Sequence, residues 1–247
     1  MSWHGKPSGG YLMTSTEGTE NIYEMHYMLD AAGYTLESQA GIIGNVYNES
    51  ALNVWRWQSD TVNLMYGGYG LFQYTASSSA ATDRYIQVCS GLPYYAPNLS
   101  TSSVTPGALV TDAICQVNVF TSDYLNKWVS TIWRQYWPAN PTLRAKVNAI
   151  LSTWGNGTTL TMAQFSQITN VEDATIAFLG AFEGPAVPNW QSRVTDANTA
   201  YQILSGAPPG PTPGGRPPIW LLFKMKERYR YGCASNVQVQ QPGNRVL

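Results

Sequence analysis

Residues 36–49 limit the fold more than any other stretch of this chain. Ala40, Ile42, Ile43, Val46 and Tyr47 recur at helical spacing but cover more than one face. A helix that is apolar on several sides has to be enclosed by other elements. Gly41 and Gly44 stand one turn apart on it, each costing about 1 kcal/mol of helix propensity relative to Ala. In exchange, a neighbouring backbone can pack closely against that side. Thr35 precedes the segment as an N-cap, and Glu37 places an acid in the first turn, where the helix dipole favours it. These features predict a central buried helix in a mainly α protein. The chain has 247 residues, 44% hydrophobic and 12% charged, roughly half the charged fraction (about 25%) of a typical soluble protein. It can therefore bury a sizeable core.

The remaining periodicities agree with a helical domain. Ile22, Met25, Leu29 and Ala32 predict a helix over 19–32 that Gly33 ends. Residues 51–95 have no helical period and predict irregular chain with a short β-hairpin. A polar loop follows over 93–107. Helices are then expected over 108–120, 122–136 (stopped by Pro138) and 141–154, with Pro141 in the first turn and Gly155 after the end. Trp128, Trp133 and Trp137 belong to the core in this reading. A short helix is expected over 162–168, one capped by Asn170 to 182, and a last one over 190–204 that Gly206 ends. Residues 1–18 form an N-terminal extension and 19–205 one domain. Residues 206–218, rich in Pro and Gly, form a semi-rigid linker. Residues 219–247 open on Ile219-Trp-Leu-Leu-Phe223 and continue into a basic stretch, 224–230, that holds 4 of the 14 positive charges. An apolar and basic tail after a stiff linker suits docking onto other proteins.

Several function classes are excluded. The net charge is −1, which disfavours a nucleic-acid binder. The two histidines, His4 and His26, are separated, and Cys89, Cys115 and Cys233 lack metal-ligand spacing. No metal or other cofactor is expected. Cys89 and Cys115 are either bonded or free. Both histidines precede the cysteines, the reverse of the order in papain-like peptidases. The N-terminus lacks the basic and apolar regions of a signal peptide, and no apolar run is long enough to span a bilayer. Delivery outside a cytoplasm is expected to use something other than secretion.

The chemistry concentrates in Gly41-Ile-Ile-Gly-Asn-Val-Tyr-Asn-Glu-Ser-Ala-Leu-Asn53 and Gly68-Tyr-Gly-Leu-Phe-Gln-Tyr-Thr75. Glu49 ends an apolar helix. The negative end of the dipole and burial beside Trp55 or Trp57 both disfavour its ionised form, which suits a general acid. The plainer alternative is a solvated helix-end residue paired with Arg56. Gly67, Gly68 and Gly70 let the backbone turn sharply, Gln73 offers a donor and an acceptor, and Tyr69, Phe72 and Tyr74 offer ring faces. The chain has 16 Tyr and 9 Trp against 6 Phe, a balance that suits sugar rings.

A helix-end Glu-Ser followed by a Gly-x-Gly-Leu-x-Gln hairpin resembles the goose-type lysozyme and lytic transglycosylase superfamily, and within it the phage tail lysozyme family. The match runs through Ala40, Gly41, Ile42, Gly44, Asn45, Glu49, Ser50, Leu52 and Asn53, then Gly68 to Leu71, Gln73 and Thr75. It departs at Tyr74, where Trp is usual, at Ala51 for a frequent Gly, and at Val54 for a frequent Pro. Phe178-Leu-Gly-Ala-Phe-Glu-Gly-Pro185, with Arg193 and Ala197, resembles the family's closing segment.

The resemblance implies an α+β lysozyme-like fold, with a small β-hairpin lining the cleft of a catalytic domain over 19–205. It implies a muramidase of a phage virion, at the tail tip or knob, that cleaves the β-1,4 bond between N-acetylmuramic acid and N-acetylglucosamine in host peptidoglycan during entry. Glu49 would be the general acid. Ser50, Tyr69, Gly70, Leu71, Gln73 and Tyr74 would bind substrate, and the tail would bind other virion proteins. Asp60, Asp83 and Glu183 are candidates for a second carboxylate. The alternatives are a lytic transglycosylase, an endolysin acting at host lysis, and a non-catalytic tail protein that keeps the fold.

Overall fold

A computed structural model describes residues 3–6, 8–58, 68–73, 106–121, 140–183 and 187–206. Seven α-helices lie among them: α1 (Thr16–Ala31), α2 (Leu36–Ser50), α3 (Pro106–Thr121), α4 (Pro141–Thr153), α5 (Met162–Phe165), α6 (Val171–Phe178) and α7 (Trp190–Ser205). A π-helical turn, Leu179–Glu183, continues α6. The boundaries follow local chemistry. Ser15, Thr35, Asn140 and Asn170 each accept a backbone N–H as N-caps. Thr161 and Gln164 form a reciprocal capping box on α5. The expected helix over 122–136, its tryptophans, the linker and the tail lie outside the described residues, as do Tyr74, Asp60, Asp83, Cys89 and Cys233.

α2 is the buried axis of the protein. Every residue from Ser38 to Val46 is buried, and α6 and α7 pack along it. The two glycines are where they do so. A Cβ on Gly41 would sit 2.8 Å from the Ala174 carbonyl carbon and the Thr175 nitrogen of α6. A Cβ on Gly44 would sit 2.6 Å from the Ala197 nitrogen of α7. The close approach expected from the sequence is therefore present, and it involves two helices. Asn45 locks one of them, donating from Nδ2 to the carbonyls of Gly41 at 2.8 Å and Thr175 at 3.1 Å.

The expected β-hairpin is not seen among the described residues, where no strand occurs. Its place holds a single antiparallel bridge, Trp57 to Tyr69. Gln58 N donates to Gly68 O and Gly70 N to Arg56 O, both at 2.8 Å. The architecture described is thus helical with one bridge, and the α+β expectation holds only in its mainly α part.

Residues 3–6 and 8–13 pack onto the end of α2. Trp3 and Met13 enter the core. Asn53 accepts from Lys6 N and donates to Lys6 O and Gly9 O, while Tyr11 N donates to Ala51 O. This strap spans Ala51 and Leu52, both in the left-handed region at φ 48° and 59°, a conformation that costs a non-glycine residue about 1–3 kcal/mol. The strap supplies the hydrogen bonds that hold α2's abrupt end. An aromatic cluster joins the 68–73 loop to α3, α6 and the π turn: Phe72 stacks on Phe120 at 5.5 Å, and Phe178 on Phe182 at 4.8 Å.

Candidate active site

α2 carries Glu49 in its last turn, and no basic residue of α2 itself lies there. The compensating cation comes from α7. Arg193 Nη2 donates to Glu49 Oε1 at 2.5 Å across 144 residues of sequence. Its Nη1 donates to Asn45 Oδ1 at 3.1 Å, so α2 holds the guanidinium at two points one turn apart. The Arg193 side chain is 7% exposed and that of Glu49 is 22% exposed. Glu49 therefore presents the solvent-reaching end of an otherwise buried ion pair. Trp55 Nε1 donates to Asp112, and the Trp57 ring lies 4.7 Å from that of Tyr69.

A second carboxyl belongs to the same cluster. Glu183, at the end of the π turn, is pushed well above the ordinary carboxylate range, first by burial and then by the charge of Glu49, with Arg193 opposing. Its Oε1 is buried without a hydrogen-bond partner, and so is Arg193 Nε. Asp196 of α7 stands at the rim, where Asn48 Nδ2 donates to it at 2.6 Å. Partial burial raises its pKa, while Asn48 and Arg193 lower it. Of the three sequence candidates for a second carboxylate, Glu183 is the one among the described residues, and the charge of Glu49 acts on it.

The remaining expected site residues divide by burial. Ser50 is fully buried, with Oγ bound to Val46 O at 3.0 Å in its own helix. Tyr69 and Leu71 are fully buried too. The Tyr69 hydroxyl donates to Asp112 Oδ2 at 2.7 Å, and Leu71 N donates to Gln116 Oε1 at 2.7 Å. Gly70 adopts φ 80°, and a Cβ there would meet the Gln116 amide at 2.2 Å. Gln73 is half-buried at φ 44° and donates from Nε2 to Arg56 O and Gly70 O. These residues form a braced loop, with the side chains of Tyr69 and Leu71 directed into the protein.

Asp112 and Gln116, one turn apart on α3, are the braces, and sequence reasoning missed both. Gln116 Nε2 donates to Asp112 Oδ1 at 2.7 Å and to Val54 O at 2.9 Å. Burial lifts Asp112 from 3.8 to about 6, against hydrogen bonds from Gln116, Tyr69 and Trp55. The signal was available, because Asp112 is the single charged residue of Pro106–Thr121. An isolated acid in an apolar helix needs donors from elsewhere.

Among the described residues, no cluster of three His, Cys, Asp or Glu side chains could hold a metal ion. No helix there is long and apolar enough to cross a membrane.

Residues 20–104 match the family model of phage tail lysozyme, the family that the motifs resemble. The matched segment contains α2, Glu49 and the loop to Gln73. Arg193 and Glu183, which complete the carboxyl cluster, lie beyond it.

Proposed function

We propose that this protein is a peptidoglycan-cleaving glycosidase of a phage virion, acting on the β-1,4 bond between N-acetylmuramic acid and N-acetylglucosamine during entry. Glu49 is its general acid. One observation carries this: within the segment similar to phage tail lysozyme, a buried helix ends in a carboxyl group that reaches solvent and is fixed by a buried arginine. General-acid catalysis requires a carboxyl held in place at the edge of a cleft, able to deliver a proton to the leaving oxygen as the C1–O bond breaks. Holding it between α2 and α7 limits its freedom, and positioning is a large part of such catalysis.

The other residues take roles that match their burial. Gln73 faces substrate, and Tyr74, outside the described residues, is proposed to stack on it. Gly70 lets the loop backbone approach the brace beneath it, while Tyr69 and Leu71 support the loop from below and Ser50 fixes the helix end. Residues 219–230 dock the enzyme to other virion proteins through Trp220, Leu221, Leu222 and Phe223.

The test is a zymogram on purified cell wall with the full chain and with Glu49→Gln. Clearing by the wild type and a loss of at least about 100-fold in the variant are expected. No clearing by the wild type leaves the non-catalytic tail protein. Mass analysis of the products separates a hydrolase from a transglycosylase, and detection in purified particles separates a virion enzyme from an endolysin.

A further inference from the structure

The reaction assigned to Glu49 needs a proton on that carboxyl, yet the structure pairs it with a guanidinium. The neighbouring Glu183 answers this conflict. Its carboxyl is buried, feels the charges of both Glu49 and Arg193, and leaves Oε1 without a partner. Arg193 spends Nη1 on Asn45 and Nη2 on Glu49, and its buried Nε is also without a partner. An orphaned donor and an orphaned oxygen in one buried cluster are rare in native proteins and call for a specific explanation. Glu183 also sits at the end of a π turn. Such turns alter which way a side chain leaves a helix and are frequent at functional sites. Phe182, one residue earlier, is fixed by Phe120 and Phe178, so the turn is anchored.

We propose that Glu49 and Glu183 form a one-proton carboxyl pair across Arg193, with Glu183 as a positioning residue that holds the proton at rest and takes Arg193 over when Glu49 is protonated. This deepens the assignment of Glu49 as general acid and rests on it. At rest, Glu183 is neutral and Arg193 pairs with Glu49. In the loaded state Glu183 has lost its proton, Glu49 has gained one, and Nε of Arg193 turns to Glu183. Both states contain one proton and one negative charge opposite one guanidinium, so the exchange needs no outside reactant. Two ionised carboxylates in one buried site repel, which keeps the pair from losing its proton. Substrate binding removes water from Glu49, the exposed member, and thereby favours its neutral form. Glu49 then gives the proton to the glycosidic oxygen as the C1–O bond breaks. The hydroxyl that attacks C1, from water or from the sugar itself, releases a proton that restores the pair. Arg193 is the cation that acts on the pair, and Asp196, three residues further along α7, interacts with Arg193 as well.

The test compares pH–rate profiles of the full chain on purified cell wall for wild type, Glu183→Gln and Glu49→Gln. The amide introduced by Glu183→Gln would keep the shape of the neutral acid but could not ionise, so Arg193 would stay on Glu49. In that variant, activity at neutral pH should fall by about tenfold or more, the loss should shrink toward acid pH, and the alkaline limb should move down by about one pH unit or more. A folded Glu183→Gln protein whose profile superimposes on wild type overturns the pair. So does one that is inactive at every pH, since acid alone should load Glu49. Glu49→Gln retaining more than about a tenth of wild-type activity instead overturns the general-acid assignment itself. If Glu183→Gln does not fold, carboxyl carbon-13 titration of the wild type and Glu49→Gln decides. One glutamate carboxyl should titrate well above the ordinary range in the wild type and fall in Glu49→Gln, and its absence or its indifference to residue 49 overturns the pair.

Discussion

Gly44→Ala tests whether the site depends on the close packing of α2 against α7. On an exposed helix this change gains about 0.8–1 kcal/mol. Here the added methyl would lie 2.6 Å from Ala197 N, 2.7 Å from its Cα and 2.7 Å from its Cβ. Ordinary carbon contacts begin near 3.5 Å, so α7 would have to retreat by roughly 1 Å. The obstacle is backbone, which no rotamer change can clear. Overpacking typically costs about 1–3 kcal/mol, occasionally more. With a backbone obstacle the upper end applies, and after the propensity gain a net loss of about 2 kcal/mol is expected. For a domain of this size that lowers Tm by roughly 4–8 °C. Function should suffer beyond stability, because Arg193 is one turn from Ala197 on the same helix and would be carried away from Glu49. The assay is chemical denaturation of both proteins, followed by wall cleavage per folded molecule at a temperature where each is fully folded. A Gly44→Ala protein as stable as wild type, or more so, refutes the packing argument.

Four further outcomes are expected. Glu49→Gln should also lose about 1–3 kcal/mol of stability, since Glu183 must then ionise in a buried position to take over Arg193; unchanged denaturation midpoints would contradict the ion pair. Asp112 titrates near 6 in the fold against 3.8 ordinarily. Its contribution to stability is therefore complete below roughly pH 4 and lost as the pH rises through about 6, up to about 3 kcal/mol in all. The stability advantage of wild type over Asp112→Asn should shrink by that order across the window, and parallel pH curves would contradict it. Tyr74→Ala should weaken substrate use by about 1–3 kcal/mol with little change in Tm, read from wall-cleavage rates and thermal melts. Removal of residues 207–247 should leave wall cleavage intact and abolish incorporation into particles, checked by immunoblotting purified virions.

What could be read from the sequence was set by how far apart the interacting residues lie. Thr35 and Asn170 cap helices because their side chains reach backbone three residues on, so a short window contains the whole interaction. Gly41 and Gly44 were legible as contact points for the same reason: the cost of two glycines in an apolar helix is local and asks for a compensating neighbour. Which neighbour was not legible, because Ala174 and Ala197 are merely small residues on helices far along the chain. The π turn escaped because its sequence reads as a continuation of α6, and the aromatic cluster around Phe182 supplies tertiary contacts that hold the wider turn. The charge partner of Glu49 escaped in the same way. It pairs with Arg193, 144 residues along the chain, so no short window contains the interaction.

The packing and the chemistry depend on each other at one point. Asn45 lies between Gly44 and Glu49 on α2, holds α6 through Thr175 O, and holds Arg193 through its own Oδ1. Both of its hydrogen-bonding ends are therefore used, one for each helix the glycines admit. If α6 moved out, the π turn that follows it would carry Glu183 away from Arg193; if α7 moved out, Arg193 would leave Glu49. A carboxyl cluster assembled from three helices keeps its distances only when all three are locked to one another, and small residues do this better than large ones. With backbones nearly in contact, the side chains between them have few alternative rotamers and little room to relax. The glycines at 41 and 44 are thus as much a part of the proposed acid site as Glu49.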